Sequence, residues 1–156
     1  MALMTNKAKL KIADDVKLRD EITRDVNLLS QIDLTKWAVS CAKRTLPMLE
    51  EEFPKENSIV EGLKVIELWQ EGTASVTEVR EAGLRVHELA RKCHSKTAKT
   101  AARALGHAIS VGHMREHAMV ATDYVILALG LAFSDDMDKI TLERRWQLKE
   151  LRNCLK

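Results

Sequence analysis

From Asp14 to Leu155 the apolar residues of this chain recur three and four positions apart, segment after segment. Nowhere do they alternate over a stretch long enough for a strand. Such spacing gathers the apolar side chains on one side of a helix but splits them between the two faces of a strand. Burial therefore demands helices. The punctuation agrees, because 6 Gly and 2 Pro in 156 residues leave few tight turns, and a β-rich fold needs many. The length suits one domain with its own core. The expectation is an all-α, single-domain bundle of six or seven helices.

A first helix is expected from about Asp14 to Leu29, with Val16, Ile22, Val26 and Leu29 inward. Asp33 reads as the cap of a second, LTKWAVSCAKRTLPMLEEEF, which Pro47 should bend or end near Thr45, since proline lacks the amide donor and crowds the preceding turn. Asn57 or Ser58 opens a third helix through Val60, Leu63, Ile66 and Trp69, and Gly72 is placed to stop it. Ser75 to Glu78 reads SVTE, a capping box for the fourth helix. Ser95 or Thr97 caps a fifth, whose small residues (Ala98, Ala101, Ala102, Ala108, Gly112) allow a neighbour to approach closely. AMVATDYVILALGLAF is apolar almost all round, the mark of a central helix. Ser134, Asp135 and Asp136 open the last helix, with Leu142, Trp146, Leu148, Leu151 and Leu155 expected to cover one side of the bundle. This divides the chain into an N-terminal helical segment (1–32), a core (33–133) and a C-terminal helix (134–156) packing on the same domain.

Charge and cysteine usage narrow the functional classes. The net charge of +2 is too small to imply a nucleic-acid partner. No apolar run reaches the ~20 residues that cross a bilayer, and the N-terminus does not read as a signal peptide, so no membrane partner is expected. Cys41, Cys93 and Cys154 are far apart, with no Cys-x-x-Cys, which fits a reducing cytoplasm. Cys41 falls on an apolar helix face and reads as a buried structural thiol. The charge is unevenly spread. Residues 50–81 hold nine acids and three bases, a local net of −6, whereas 89–115 hold six bases and no acid, +6. Two readings stay open: opposed faces that steer a charged partner, or neighbouring helices that pair with each other.

HMREH, residues 113–117, matches a zinc-peptidase pattern. On one helix His113 and His117 would face the same way and supply two ligands, with Glu116 as base. A hydrolytic site needs a third ligand, for which only His87 or His107 stands upstream. Gly112 also threatens the helix. The match is read as coincidental and the chain as no enzyme, with no cofactor and no bound metal; if a metal bound, His113 and His117 would hold it. His87, His113, His117 and Tyr124 are instead read as a candidate buried polar cluster or ligand pocket, its members hydrogen-bonded to one another.

In order and spacing, residues 33 to 130 resemble the immunity proteins of the immunity-protein-five-like group, small bacterial helical proteins. Trp37, Ala38, Cys41, Ala42, Leu46 and Pro47 match the family's first helix, and Glu50 its following acid. Trp69 and Gly72 match its Trp-x-x-Gly end. His87 matches an Ala-His pair whose alanine is here Val86. Ala101, Ala102, Arg103, Ala104, Gly106, His107, Ala108, His113, His117, Ala118 and Tyr124 match the last pattern, in which the central Glu of HMREH need not recur. The resemblance implies stoichiometric binding of a cognate protein toxin without turnover. The acids Glu50, Glu51, Glu52, Glu61, Glu67 and Glu71 are the candidate partner-binding face, and a homodimer stays open.

Overall fold

The structure is a computed structural model that describes residues 10–156; the first nine residues of the expected 1–32 segment lie outside it. The described residues form eight α-helices and no strand: α1 (Val16–Val26), α2 (Gln31–Lys43), α3 (Leu46–Glu50), α4 (Asn57–Gln70), α5 (Val76–Lys92), α6 (Lys96–Ser110), α7 (His117–Ala132) and α8 (Met137–Asn153). The count exceeds the expected six or seven because of Pro47. It ends α2 and starts a separate short α3, where proline at the first turn sacrifices no hydrogen bond.

The helix ends follow local chemistry. Ser30, not Asp33, caps α2: the Ser30 hydroxyl accepts from the Asp33 amide at 3.1 Å, which puts Asp33 in the first turn. Ser75 and Glu78 form the expected capping box at 3.1 and 3.0 Å. Gly72, at φ +83°, closes α4 in a Schellman motif, with Thr73 N–H on the Leu68 carbonyl and Gly72 N–H on that of Trp69. Asp136 caps α8 after two left-handed residues, Ser134 and Asp135.

α6 lies among α2, α3, α5 and α7, and its alanines and Gly106 are buried, so the small residues do permit close approach. α7 packs on α2, α6 and α8, and α8 packs on α1. Cys41 is fully buried and its thiol pKa is pushed up by that burial, in keeping with an inert core position. Two apolar expectations fail. Val16 on α1 is 66% exposed, and Leu142 and Leu155 at 62% and 42% do not cover the bundle. α8 instead turns Ile140, Glu143, Arg144, Gln147, Leu148 and Leu151 inward. Half of that face is polar.

The reason is a buried ionic network. Arg144 is fully buried and bridges Asp14 at 2.7 Å and Asp123 at 2.7 Å. Arg19 forks onto the same Asp123 through Nε and Nη2, both at 2.9 Å. Burial disfavours the Arg144 charge, but Asp14 and Asp123 outweigh it and raise the guanidinium pKa. Gln147 accepts from Arg144 at 3.0 Å, and its backbone carbonyl takes the Trp37 indole N–H at 2.8 Å. Arg44 forks onto Glu143 and lies 4.2 Å over the Trp146 ring. α1, α2, α7 and α8 are thus tied by charges as well as by apolar contact.

Removing one partner of a buried pair strands the other charge, at a cost of ~3–5 kcal/mol. Asp123→Ala leaves both Arg19 and Arg144 without it and is expected to destabilise the fold by about that amount in urea unfolding. Glu81→Ala, which breaks only the exposed Arg85 pair on α5, should change stability by less than about 0.5 kcal/mol.

Candidate functional site

The sequence-expected cluster does assemble, in a different form. α6 ends at Ser110 and α7 begins at His117, so His113 lies in the connecting turn and HMREH is not helical. The two rings still meet, with centroids 5.0 Å apart, because the turn folds back over the start of α7. Turn bonds hold it there: His113 N–H and Met114 N–H both reach the Ser110 carbonyl. Arg115 adds two bonds, to the Val26 and Leu29 carbonyls. Glu116, the base of the peptidase pattern, is exposed. Among the described residues no three of His, Cys, Asp or Glu are grouped as metal ligands.

The centre of the cluster is His107, which the sequence-based grouping left out. It stacks on Tyr124 (5.3 Å, 10° between planes) and on His117 (5.1 Å), and meets His87 edge-on at 4.7 Å. His107 Nδ1 and His117 Nδ1 are 2.8 Å apart, so one ring carries the hydrogen and the other accepts it. His87 Nδ1 takes a hydrogen bond from Arg103 at 3.1 Å. His117 and Tyr124 share a face of α7 at seven-residue spacing, as do Arg103 and His107 on α6 at four. That i, i+4 pair, with Gly106 beside it, was the available signal for His107. A Cβ on Gly106 would lie 2.7 to 2.9 Å from three atoms of the His87 ring, so glycine is what lets the imidazole rest on α6.

The four rings and Tyr124 are half-buried, not buried as expected. Ring contacts run from His87 through His107 and His117 to His113, with Tyr124 against His107. Burial lowers the His87 pKa to about 4, helped by Arg103, His117 and Arg91. Burial also lowers that of His113, with Arg80 adding to it. His87 is therefore neutral at pH 7.

The acids divide. Glu50, Glu51, Glu61, Glu67 and Glu71 are exposed; Glu61 and Glu67 lie on α4 and Glu71 is its C-cap. Glu52 is committed elsewhere. Its carboxylate accepts from His94 N–H at 2.6 Å, Ser95 N–H at 2.9 Å and the Ser95 hydroxyl at 2.9 Å, and so closes the entry to α6. The His94 and Ser95 amides hold its pKa below the usual carboxylate range. No salt bridge among the described residues joins the acids of 50–81 to the bases of 89–115, so the two segments do not neutralise each other by direct pairing. A groove of about 380 Å³ runs along the end of α8, lined by Arg145, Lys149, Arg152 and Lys156; none of the histidines borders it.

The described residues form an all-helical bundle with an ionic core and charged outer faces. The family described as "Imm-5 like putative immunity protein" matches residues 24–154, and the chain belongs to it. The match reaches beyond the expected 33–130 at both ends, taking in the end of α1 and the whole of α8. No curated protein and no solved structure matches the chain.

The histidine shifts carry a sign. A folded-state pKa below the ordinary value of ~6.5 means that the unfolded chain binds the proton more readily, so stability is full above ~6.5 and falls as pH drops towards the folded value. The melting temperature is expected to decline between pH 6.5 and about 4, and His87→Gln should flatten that decline relative to the native chain. Equal slopes for the two proteins, measured by circular dichroism, would assign the decline to other groups.

Proposed function

We propose that the chain is a bacterial, cytoplasmic immunity protein that neutralises a cognate protein toxin by stoichiometric binding, and that it is not an enzyme. Membership of the family supports the class of partner. One observation carries the choice of surface: Glu50, Glu51, Glu61, Glu67 and Glu71 are exposed, and no salt bridge among the described residues takes them. Carboxylates free of internal pairing form a face that attracts a basic partner and raises its association rate. The toxin on this reading is basic around its active site, as proteins acting on nucleic acid are. Glu52 contributes to the face indirectly, by fixing the loop after α3 to the start of α6.

The test is co-expression. Each reading frame beside the gene is expressed with and without this chain, and one of them should arrest growth only when the chain is missing. The triple variant Glu61→Lys, Glu67→Lys, Glu71→Lys should retain its melting temperature, since these side chains are exposed. Its association with the toxin should slow by about tenfold or more at low salt. Undiminished association would remove α4 from the interface.

A further inference from the structure

The end of α8 carries a stripe of cations. Arg145, Lys149 and Arg152, four and three residues apart, share one side of the helix, and Lys156 lies just past its end. With Leu148 and Asn153 they line the groove of about 380 Å³. All four cations are exposed. Arg152 reaches Asp25 through Nε at 3.0 Å. Arg145, Lys149 and Lys156 make no side-chain hydrogen bond or ion pair among the described residues.

The lining narrows the occupant to an acidic protein surface. No aromatic side chain borders the groove, so the bases of a nucleic-acid strand would have nothing to stack on. A bilayer surface is flat and would not reach the buried Leu148. Leu148 and Asn153 add an apolar and an amide contact beside the charges, which the methylenes and oxygens of glutamate side chains can use together. This chain carries such a surface itself. Glu61 and Glu67 on α4, Glu71 at its C-cap, and Glu50 and Glu51 before it are exposed and make no side-chain hydrogen bond or ion pair among the described residues. Lys64 is the one base on α4. Opposite charges held apart on one molecule attract the unlike face of a second. We propose that the α8 groove of one molecule takes the acidic residues of α4 on a second copy of this chain. The contact is heterologous, groove on one copy and acids on the other, so two such contacts close a pair or continue along a chain. It is small and driven by exposed charge, and is therefore weak and salt-sensitive. It does not rest on the toxin reading; a basic toxin that takes the same acids displaces the second copy.

Sedimentation equilibrium of the full chain tests it, at concentrations up to about 1 mM because the contact is weak. In about 0.01 M salt, where charges act over ~30 Å, the average mass should rise with concentration to twice the monomer or beyond. In about 1 M salt, where that reach falls to ~3 Å, the chain should be monomeric. A plateau at twice the monomer supports a closed pair, and continued growth supports a chain of copies; both need the groove. The double variant Arg145→Glu, Lys149→Glu should be monomeric at either salt, and so should Glu61→Lys, Glu67→Lys, Glu71→Lys. All five side chains are exposed, so circular dichroism should show native melting temperatures. Mixed in equal amounts at low salt, the two variants should associate again, because an acidic groove then meets a basic α4. The proposal is overturned if the native chain stays monomeric in about 0.01 M salt, if either variant associates as the native chain does, or if the mixture fails to restore association. Binding of a DNA duplex or of anionic phospholipid vesicles through Arg145 and Lys149, with no self-association, would give the groove to that occupant and overturn it too. The native chain's own salt dependence decides the first point, whatever the stability of the variants.

Discussion

One carboxylate organises this bundle. Asp123 is the one acid on α7, whose other residues are apolar or small apart from His117, Thr122 and Tyr124, and it is held between Arg19 of α1 and Arg144 of α8. An acid buried there is tolerable only with such partners. Once they are present, α1 and α8, the two ends of the described chain, are drawn to the central helix. Asp14 completes the charge balance around Arg144, and Gln147 passes the tie on to Trp37 of α2. The start of α7 is fixed by the same packing, and His117 sits there, so the imidazole row inherits its position from the ionic core.

Much of this was legible as pattern. The helices, the SVTE box, the stop at Gly72, the break at Pro47 and the centrality of α7 all follow from local chemistry that acts within a few residues. What was missed is long-range. In the sequence Asp14 marks only the approximate start of the first helix and Asp123 lies unremarked within the apolar segment, and nothing local says that an arginine more than a hundred residues away will neutralise them. For the same reason Leu142 and Leu155, which are exposed, were assigned to the covering face of α8 together with Leu148 and Leu151, which are buried, and Arg144 and Gln147 were not.

The site was half legible. Tyr124 and His117 share a helical face and reach His87 through His107, and the break that Gly112 threatened is there, since the chain turns between Val111 and Glu116. His107 was overlooked because its role arises between helices: it touches α5 through His87 and α7 through His117 and Tyr124. The acids of α4 needed no such insight, since exposed charge at helical spacing is visible in the sequence. Glu52 shows the opposite case, an acid in a charged run that serves as a cap for another helix.

Covering a partner and processing a substrate make different demands on concentration. Titrating a fixed amount of the toxin's activity with this protein separates them. Stoichiometric binding predicts a straight decline that reaches zero at one equivalent. Complete loss of toxin activity at a small fraction of an equivalent, deepening with time, would mean turnover and would contradict neutralisation by binding.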